Sequence, residues 1–195
     1  LLSTTGTKPS ERQFASHVVW NGKMVMFGGH GSGFKGGAWT LDLTTHAWTL
    51  LTTTGTSPSR RNAHSSVVWN GKMVVFGGNH EYTLQNDAWT LDLTTLAWTL
   101  LTTTGTKPSA REYFSSVVSN GKMVVFGGYD GSKKNDAWSL DLTTLAWTLL
   151  STTGTKPGAR VGHSAVVSNG KMVVFGGKDG YNGPSYNDVW TLDLT

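Results

Sequence analysis

The chain has 195 residues, of which 37% are hydrophobic and 14% are charged, and its formal net charge is +4. Because it contains no cysteine, disulfides, thiolate metal sites and a cysteine nucleophile are excluded. No apolar run approaches the roughly 20 residues that a membrane-spanning helix needs, so we expect no membrane partner.

The positive charge does not indicate a nucleic-acid partner. Most of it comes from positions that recur along the chain, such as the lysine after each Asn-Gly pair. The basic residues that do not recur are Arg60, Lys35, Lys133, Lys134 and Lys178. These are too dispersed to form the basic stripe of a nucleic-acid site, so we expect no nucleic-acid binding.

Four copies of one unit fill the chain. The segment NGKMVVFGG occurs at 70–78, 120–128 and 169–177, and with one change at 21–29. The repeats span approximately 9–57, 58–107, 108–156 and 157–195, the last taken together with 1–8. A fixed period of about 50 residues is typical of repeat architectures, so 1–195 is predicted to be a single domain or a segment of one.

Each unit predicts four short β-strands, which we name a to d in chain order. In the second unit, SSVVW precedes Asn70-Gly71, and such a pair between β-branched runs indicates a tight a–b hairpin. Strand b, MVVF, is apolar on both faces and ends at Gly-Gly, which predicts a central strand beside a closely approaching backbone. Strand c places Trp89, Leu91 and Leu93 on one face, and strand d, AWTLL, follows a turn.

This combination of motifs resembles the kelch repeat. In the second unit the matching residues are Pro58, Arg61, Gly77, Gly78, Asn86, Asp87, Trp89, Asp92 and Trp98. The structural motif positions of the whole chain are Arg12, Arg61, Arg111, Arg160, Gly28, Gly29, Gly77, Gly78, Gly127, Gly128, Gly176, Gly177, Trp39, Trp89, Trp138 and Trp190. The first unit departs from the pattern because Gly36 and Gly37 stand where the others have Asn-Asp, which weakens the entry to its strand c.

The resemblance implies an all-β fold, a kelch-type β-propeller with four blades of four-stranded antiparallel sheet. We expect the last blade to lack most of its outer strand unless the N-terminus, through Leu1 and Leu2, or another chain completes it. Three arrangements fit: a closed four-bladed ring, two chains pairing into a larger ring, or a segment of a longer array. We favour an incomplete unit that needs further blades, because four blades is the low end for propellers.

The b–c loops and the d–a connections are predicted to share one face, and they hold nearly all the differences between the units. Loops on a rigid scaffold are where binding residues tend to lie. The candidate partner-binding residues are His30, Phe34, Lys35, His80, Glu81, Tyr82, Glu112, Tyr113, Tyr129, Asp130, Lys133, Lys134, Lys178, Asp179, Tyr181 and Tyr186. Among them, Glu112 and Tyr113 are expected to join Phe14 in a central pocket. The alternative is that these loops diverged because nothing constrains them.

Two further features have more than one interpretation. Trp20 and Trp69 precede the Asn-Gly turn where later units have serine, so we expect exposed tryptophans that suit an interface. The four motif arginines suggest an anion-binding ring, but the resemblance implies that they bridge neighbouring blades.

The residues favour a non-catalytic protein–protein interaction scaffold. Copper chemistry of the galactose-oxidase kind needs a cysteine, the non-recurring acids lie on different loops, and the histidines do not cluster. We therefore predict no catalytic, metal or cofactor site, and a protein or peptide as partner, with a homodimer that completes a larger ring as a second option. Two alternatives stay open: a carbohydrate-binding protein or sugar-directed enzyme that uses the same face, and a purely structural, recently duplicated or engineered propeller without a specific ligand.

Overall fold

The computed structural model describes residues 2–195, and in that range all regular secondary structure is β. Twenty short strands form four main sheets and two small two-stranded hairpins. Each main sheet corresponds to one sequence repeat, so the predicted all-β propeller of four blades is confirmed. In residues 2–195 we find no helix that is long and apolar enough to cross a membrane.

The strands follow the repeats in chain order. Blade 1 and its b–c loop contain β1 (Thr5–Gly6), β2 (Ser16–Trp20), β3 (Lys23–Phe27), β4 (His30–Gly31), β5 (Gly33–Phe34), β6 (Ala38–Asp42) and β7 (Ala47–Leu50). Blade 2 contains β8 (Ser65–Trp69), β9 (Lys72–Phe76), β10 (Asn79–His80), β11 (Thr83–Leu84), β12 (Ala88–Asp92) and β13 (Trp98–Leu100). Blade 3 contains β14 (Ser115–Ser119), β15 (Lys122–Phe126), β16 (Ala137–Asp141) and β17 (Trp147–Leu149). Blade 4 contains β18 (Ser164–Ser168), β19 (Lys171–Phe175) and β20 (Val189–Asp193).

The a–b hairpins are as tight as the Asn-Gly pairs predict. In each blade, strand b lies between strands a and c with antiparallel pairing, as in the register Val67 with Val74 and Val74 with Thr90. Asn70 and Gly71 have φ angles of 46° and 70°. Two consecutive left-handed residues define the type I′ turn, whose twist matches that of the flanking strands. The turn therefore fixes the register of each blade.

The hydrophobic core lies between the blades. Between blades 2 and 3, the Phe76 and Val74 side chains meet Met123, Leu140 and Trp147 in one buried cluster. Equivalent clusters join blades 1 and 2, and blades 3 and 4. Burying each side chain of this size contributes roughly 1.5–3 kcal/mol, so stacking neighbouring blades is the main source of stability.

The Gly-Gly pair lies where neighbouring elements leave no room for a side chain. A Cβ on Gly77 would lie 2.9 Å from the Arg111 carbonyl oxygen and 3.0 Å from the Phe114 ring of the next blade. A Cβ on Gly78 would lie 2.6 Å from the Asn62 carbonyl oxygen in its own blade. The sequence interpretation of these glycines as points of close backbone approach agrees with this geometry.

The four blades form an open arc in the described part of the chain. Clusters join blade 1 to 2, 2 to 3 and 3 to 4, and none joins 4 to 1. Val67 and Phe76 of blade 2 are 6% and 0% exposed, whereas the equivalent Val166 and Phe175 of blade 4 are 61% and 53% exposed. Blade 4 therefore exposes to solvent the apolar face that the other blades bury against the next blade.

The N-terminal segment does not complete blade 4. Leu1 lies outside the described residues, Leu2 is exposed, and Thr5–Gly6 pairs in parallel with the outer strand of blade 1. The same parallel bridge links Thr54 to Ala97 and Thr104 to Ala146 in later blades. Residues 5–6 thus take the place of the connection that precedes each blade, which gives blade 1 five strands and leaves blade 4 with three.

Candidate functional site

The start of each b–c loop is fixed to the start of strand a on one face of the arc. Gln13 and His30 exchange two backbone hydrogen bonds of 2.8 Å. The same antiparallel bridge links Asn62 to Asn79, Glu112 to Tyr129 and Val161 to Lys178. Because the backbone is paired here, the first side chain of each variable loop has a defined position near the propeller axis.

The residues at positions 14, 63, 113 and 162 each follow the strand a residue of these bridges, and a chain of backbone hydrogen bonds links them across the arc. Phe14, Ala63 and Tyr113 have φ angles of 57°, 52° and 56°, and Gly162 at the same place has 64°. The N–H groups of Ala63, Tyr113 and Gly162 each donate to the carbonyl of the preceding member, at 2.8–3.0 Å. The left-handed backbone, which is costly for residues other than glycine, is maintained because it aligns these groups.

Four aromatic rings and one carboxylate form a cluster near the axis, which we call the axial cluster: Phe14, Glu112, Tyr113, Tyr129 and Tyr181. Tyr113 makes edge contacts with Phe14 and Tyr181, with ring centroids 5.2 and 5.6 Å apart. Tyr129 packs on Tyr181 at 4.8 Å, and the Tyr181 hydroxyl donates a 2.5 Å hydrogen bond to Glu112 Oε1. The structure thus brings together Glu112, Tyr113 and Phe14, and it adds Tyr181 from the last loop.

Two tyrosines of the axial cluster, Tyr113 and Tyr181, have raised pKa values. Burial raises the pKa of Tyr181, and the hydrogen bond and negative charge of Glu112 raise it further. The pKa of Tyr113 is raised by burial and then by the Glu112 charge. Neutral phenols beside a carboxylate offer hydrogen-bond donors and apolar ring surface, which suit recognition rather than proton abstraction.

A second aromatic group lies on the same face between blades 1 and 2, and we call it the rim cluster: His30, Phe34, His80 and Tyr82. The Phe34 ring lies 5.0 Å from His30, 5.9 Å from Tyr82 and 6.4 Å from His80. Tyr82 is 90% exposed and has a φ angle of 67° at the tip of the β10–β11 hairpin. A large exposed ring on a short, hydrogen-bonded hairpin is well placed to contact a partner.

The charged candidates of these loops are mostly paired with one another. Lys133 pairs with Asp179 of the next blade. Burial acts to raise the pKa of Asp130, but hydrogen bonds from Ser109, Lys134 and Ser132 outweigh it and hold the value at about 2. These contacts order the loops of blades 3 and 4.

The remaining candidates are distributed as follows. Glu81 pairs with Arg60 at 3.3 Å on the surface, and Lys35 Nζ donates to Ser32 Oγ. Tyr186 lies under the Arg160 guanidinium, 4.4 Å from its ring centroid, so it supports the blade instead of facing a partner. Lys178 forms no ion pair in residues 2–195 and is exposed.

Three of the four motif arginines are buried inside their own blades. Arg61 Nη1 donates to the Gly77 carbonyl at 3.0 Å and to Asp87 Oδ1 at 2.6 Å, and Nη2 donates to Oδ2 at 2.9 Å. The Trp89 indole N–H also donates to Asp87, at 2.7 Å. The same arrangement recurs as Arg111 with Asp136 and Trp138, and as Arg160 with Asp188 and Trp190. The three arginine side chains thus stabilise their own blades and do not form a ring of free cations. The link between blades comes from the arginine backbone, since the Gly29 N–H of blade 1 donates to the Arg61 carbonyl of blade 2.

Two buried histidines were not singled out from the sequence. His64 and His163 pack edge-on against Phe27 and Phe126 of the preceding blade, at 5.5 and 5.2 Å. Burial, and then the positive charge of the adjacent arginine, lowers the pKa of His64 to about 3 and that of His163 to about 4. Phe114 occupies this position in blade 3, so aligning the repeats against each other would have indicated a buried aromatic position.

Trp20 and Trp69 differ from the expected exposed pair. Both are partly buried and pack against the clusters that join their blade to the next. They lie at the a–b turns, on the face opposite the variable loops. Each tryptophan thus covers the edge of an inter-blade core.

The comparisons with known proteins agree with this architecture. A family model described as the KLHDC2/KLHL20/DRC7 Kelch-repeats domain matches residues 1–128 and 114–195. No curated protein matches the sequence. Kelch-repeat domains are generally protein-interaction domains and typically not enzymes. In residues 2–195 no group of three or more histidine, aspartate and glutamate side chains is arranged to hold a metal ion. With four matching repeats, the Arg-Asp-Trp network and a family model that covers the sequence, the chain belongs to the kelch-repeat family.

Proposed function

We propose that the chain is a non-catalytic scaffold that binds a protein or peptide through the face formed by the b–c and d–a loops. The observation that supports this most is the distribution of aromatic residues. Four of the five tyrosines of the sequence belong to the rim and axial clusters on this face: Tyr82, Tyr113, Tyr129 and Tyr181. Tyrosine supplies a large contact area with few rotatable bonds, and it is enriched in protein-binding sites.

The two clusters of the proposed face differ in exposure: the rim cluster presents an exposed ring, and the axial cluster is held in place by its own contacts. Tyr82 projects from its hairpin with 90% of its surface exposed. Tyr181 is held by Glu112 and two ring contacts, so little conformational entropy remains to be lost when a partner binds over it. The opposite face repeats the same Asn-Gly and Thr-Thr turns and offers little basis for discrimination.

A selection from a random peptide library displayed on phage tests this proposal. Enriched peptides are synthesised, and their affinity is measured for the original chain and for Tyr82→Ser and Tyr113→Gly. The second change is suited to its backbone because glycine occupies that position in blade 4. A matched control, Lys122→Ser, alters an exposed residue on the opposite face.

We expect loss of about tenfold or more in affinity for at least one loop variant and no change for the control. If no peptide is enriched, or if all variants bind equally, the proposal is wrong. A glycan array run on the same samples tests the alternative of carbohydrate binding, and saturable binding of a sugar that the two tyrosine variants lose would replace a peptide with a glycan as the ligand.

We further propose that the two open ends of the arc associate between copies of the chain. The end face of blade 4 carries the same side-chain positions that each internal blade buries against its neighbour. The chain of backbone hydrogen bonds through Phe14, Ala63, Tyr113 and Gly162 could continue across such a contact. In residues 2–195 the Phe14 N–H at its donor end and the Gly162 carbonyl at its acceptor end have no backbone partner. A second copy provides the complementary group at each end.

Light scattering over a range of concentrations tests this association. We expect a mass above 21.0 kDa that rises with concentration and returns to the monomer value in Val166→Lys. The control Leu149→Lys adds the same charge to a similarly exposed apolar residue on an outer strand, where no blade packs. A mass of 21.0 kDa at all concentrations refutes association, and an equal effect of both variants refutes the assigned surface.

A further inference from the structure

Blades 2 to 4 share a three-part network in which one aspartate accepts hydrogen bonds from an arginine and a tryptophan. In blade 2 the Asp87 carboxylate takes two bonds from Arg61, of 2.6 and 2.9 Å, and one from the Trp89 indole N–H, of 2.7 Å. The Arg61 side chain is fully buried. Paired, charge-assisted bonds of this geometry are among the strongest in proteins.

Blade 1 retains the arginine and the tryptophan of this network but not the aspartate. Arg12 Nη1 donates to the Gly28 carbonyl at 2.9 Å, and Nε donates to the Ser10 carbonyl at 3.1 Å. Arg61 makes the equivalent bonds to Gly77 and Ser59, at 3.0 and 3.2 Å. The two guanidinium groups therefore have the same orientation in their blades.

Residue 37 is a glycine where the other blades have aspartate, so no carboxylate of blade 1 reaches Arg12. In residues 2–195 Arg12 forms no ion pair, and the Trp39 indole N–H donates to no side chain or backbone carbonyl. A Cβ on Gly37 would lie 3.6 Å from Trp39 Nε1 and 3.5 Å from a Leu50 methyl group, with no other atom within 4 Å. Space for a small group is thus open beside the Trp39 indole N–H.

The donors of blade 1 are also accessible from solvent. No blade packs on the outer side of blade 1, so Arg12 is partly exposed whereas Arg61, Arg111 and Arg160 are buried. Gly36 and Gly37 are exposed as well. A ligand can therefore enter and leave without any movement of the blades.

We propose that blade 1 binds a carboxylate group between the Arg12 guanidinium and the Trp39 indole N–H, in the place that an aspartate side chain fills in the other three blades. The two carboxylate oxygens accept from Arg12, and one of them also accepts from Trp39. The carboxylate comes from a small free acid or from an acidic side chain of a bound partner. This site uses neither loop cluster and is complete in one copy, so it is independent of the scaffold function, but it lies on the side of blade 1 that self-association would cover.

Titration with sodium formate, followed by NMR of the ¹⁵N-labelled indole groups, tests the proposal. We expect the Trp39 indole signal, assigned by its loss in Trp39→Phe, to shift and saturate with a midpoint on the order of 1–50 mM. Trp89, Trp138 and Trp190 serve as internal controls, because their N–H groups already donate to aspartates. Sodium chloride replaces formate in the reference titration so that the ionic strength is constant.

The variant Gly36→Asn/Gly37→Asp restores the sequence of the other blades and provides the matched control. Its Trp39 signal should already lie at the position reached by the original chain in formate, and it should not respond to formate. Both residues are changed because Gly37 has a φ angle of 76°, whereas neither residue of the Asn-Asp pair has a positive φ angle in blades 2 to 4, so the pair favours the backbone of those blades. A linear, unsaturated shift in the original chain, or the same saturable shift in the double variant, overturns the proposal.

A second titration identifies the source of the carboxylate. The capped tripeptides Gly-Asp-Gly and Gly-Asn-Gly differ only in the acidic group, so a response to the first alone shows recognition of an acidic side chain. A lower midpoint for this peptide than for formate assigns the site to a partner's side chain, and the reverse assigns it to a free acid. No saturable response to either carboxylate compound overturns the proposal.

Discussion

The two buried histidines make the stability of the fold dependent on pH. In the unfolded chain, a histidine has a pKa near 6.5, whereas burial lowers the pKa of His64 to about 3 and that of His163 to about 4 in the folded chain. Between these values the unfolded chain binds protons that the folded chain does not. Stability is therefore fully present above pH 6.5 and is lost as the pH falls through this window.

The size of the effect follows from the lowered pKa values. At pH 5 a group with an unfolded pKa of 6.5 is about 1.5 pH units below that value, which corresponds to about 2 kcal/mol for each histidine. Both together account for about 4 kcal/mol between pH 8 and pH 5. The aspartates add little in this range, because their ordinary pKa of 3.8 lies below it.

The matched perturbation is His64→Phe, which places in blade 2 the residue that blade 3 has at this position. Phe114 packs on Phe76 at a centroid distance of 5.5 Å, the same as that of His64 on Phe27, so the ring fits without rearrangement. We expect the variant to lose about 2 kcal/mol less than the original chain between pH 8 and pH 5, and the double variant with His163→Phe about 4 kcal/mol less.

Urea unfolding followed by tryptophan fluorescence at pH 8, 6.5 and 5 measures these differences. Phe114→His in blade 3 is the reverse control, and it should add pH dependence of the same sign. If His64→Phe changes stability by the same amount at every pH, the histidine is not the source of the dependence, and the inference from its burial is refuted.

Three further predictions concern single blades. Asp136→Asn leaves the buried Arg111 without a counter-charge and should destabilise the chain by roughly 3 kcal/mol, measured by urea unfolding at pH 7. Leu145→Asn should stabilise it by up to about 1 kcal/mol in the same assay, because Leu145 has a φ angle of 60° and asparagine tolerates this conformation better. Glu112→Gln should move the ultraviolet titration of Tyr181 to lower pH, since the adjacent negative charge no longer opposes its ionisation; an unchanged titration would show that burial alone raises the pKa.

The elements that depend on local sequence were predictable. Asn70-Gly71 specifies a turn through the backbone preferences of two residues, and the Gly-Gly pair indicates a close approach that the Phe114 ring and the Arg111 carbonyl provide. The alternation of Trp89 and Leu91 correctly placed one face of strand c in the inter-blade core. These features need no knowledge of distant parts of the chain.

The contacts that depend on loop conformation were not predictable from one sequence. The hydrogen bond from Tyr181 to Glu112 joins residues 69 positions apart, through a loop whose length differs from those of the other blades. The burial of His64 depends on its orientation toward Phe27 in the preceding blade, which single-repeat patterns do not show. Completion of blade 4 by the N-terminus was one of the options that the sequence left open; in residues 2–195, Thr5–Gly6 pairs with blade 1 instead, which one sequence does not indicate.

The hydrogen-bond chain through Phe14, Ala63, Tyr113 and Gly162 gives the arc a direction. Every link runs from an N–H of the later blade to a carbonyl of the earlier one, so one end offers only a donor and the other only an acceptor. Isologous contacts, in which one surface meets its own copy, cannot continue this chain. An assembly that continues this chain through the blade ends is therefore heterologous, and a chain altered at only one end would terminate growth there while still joining through the other.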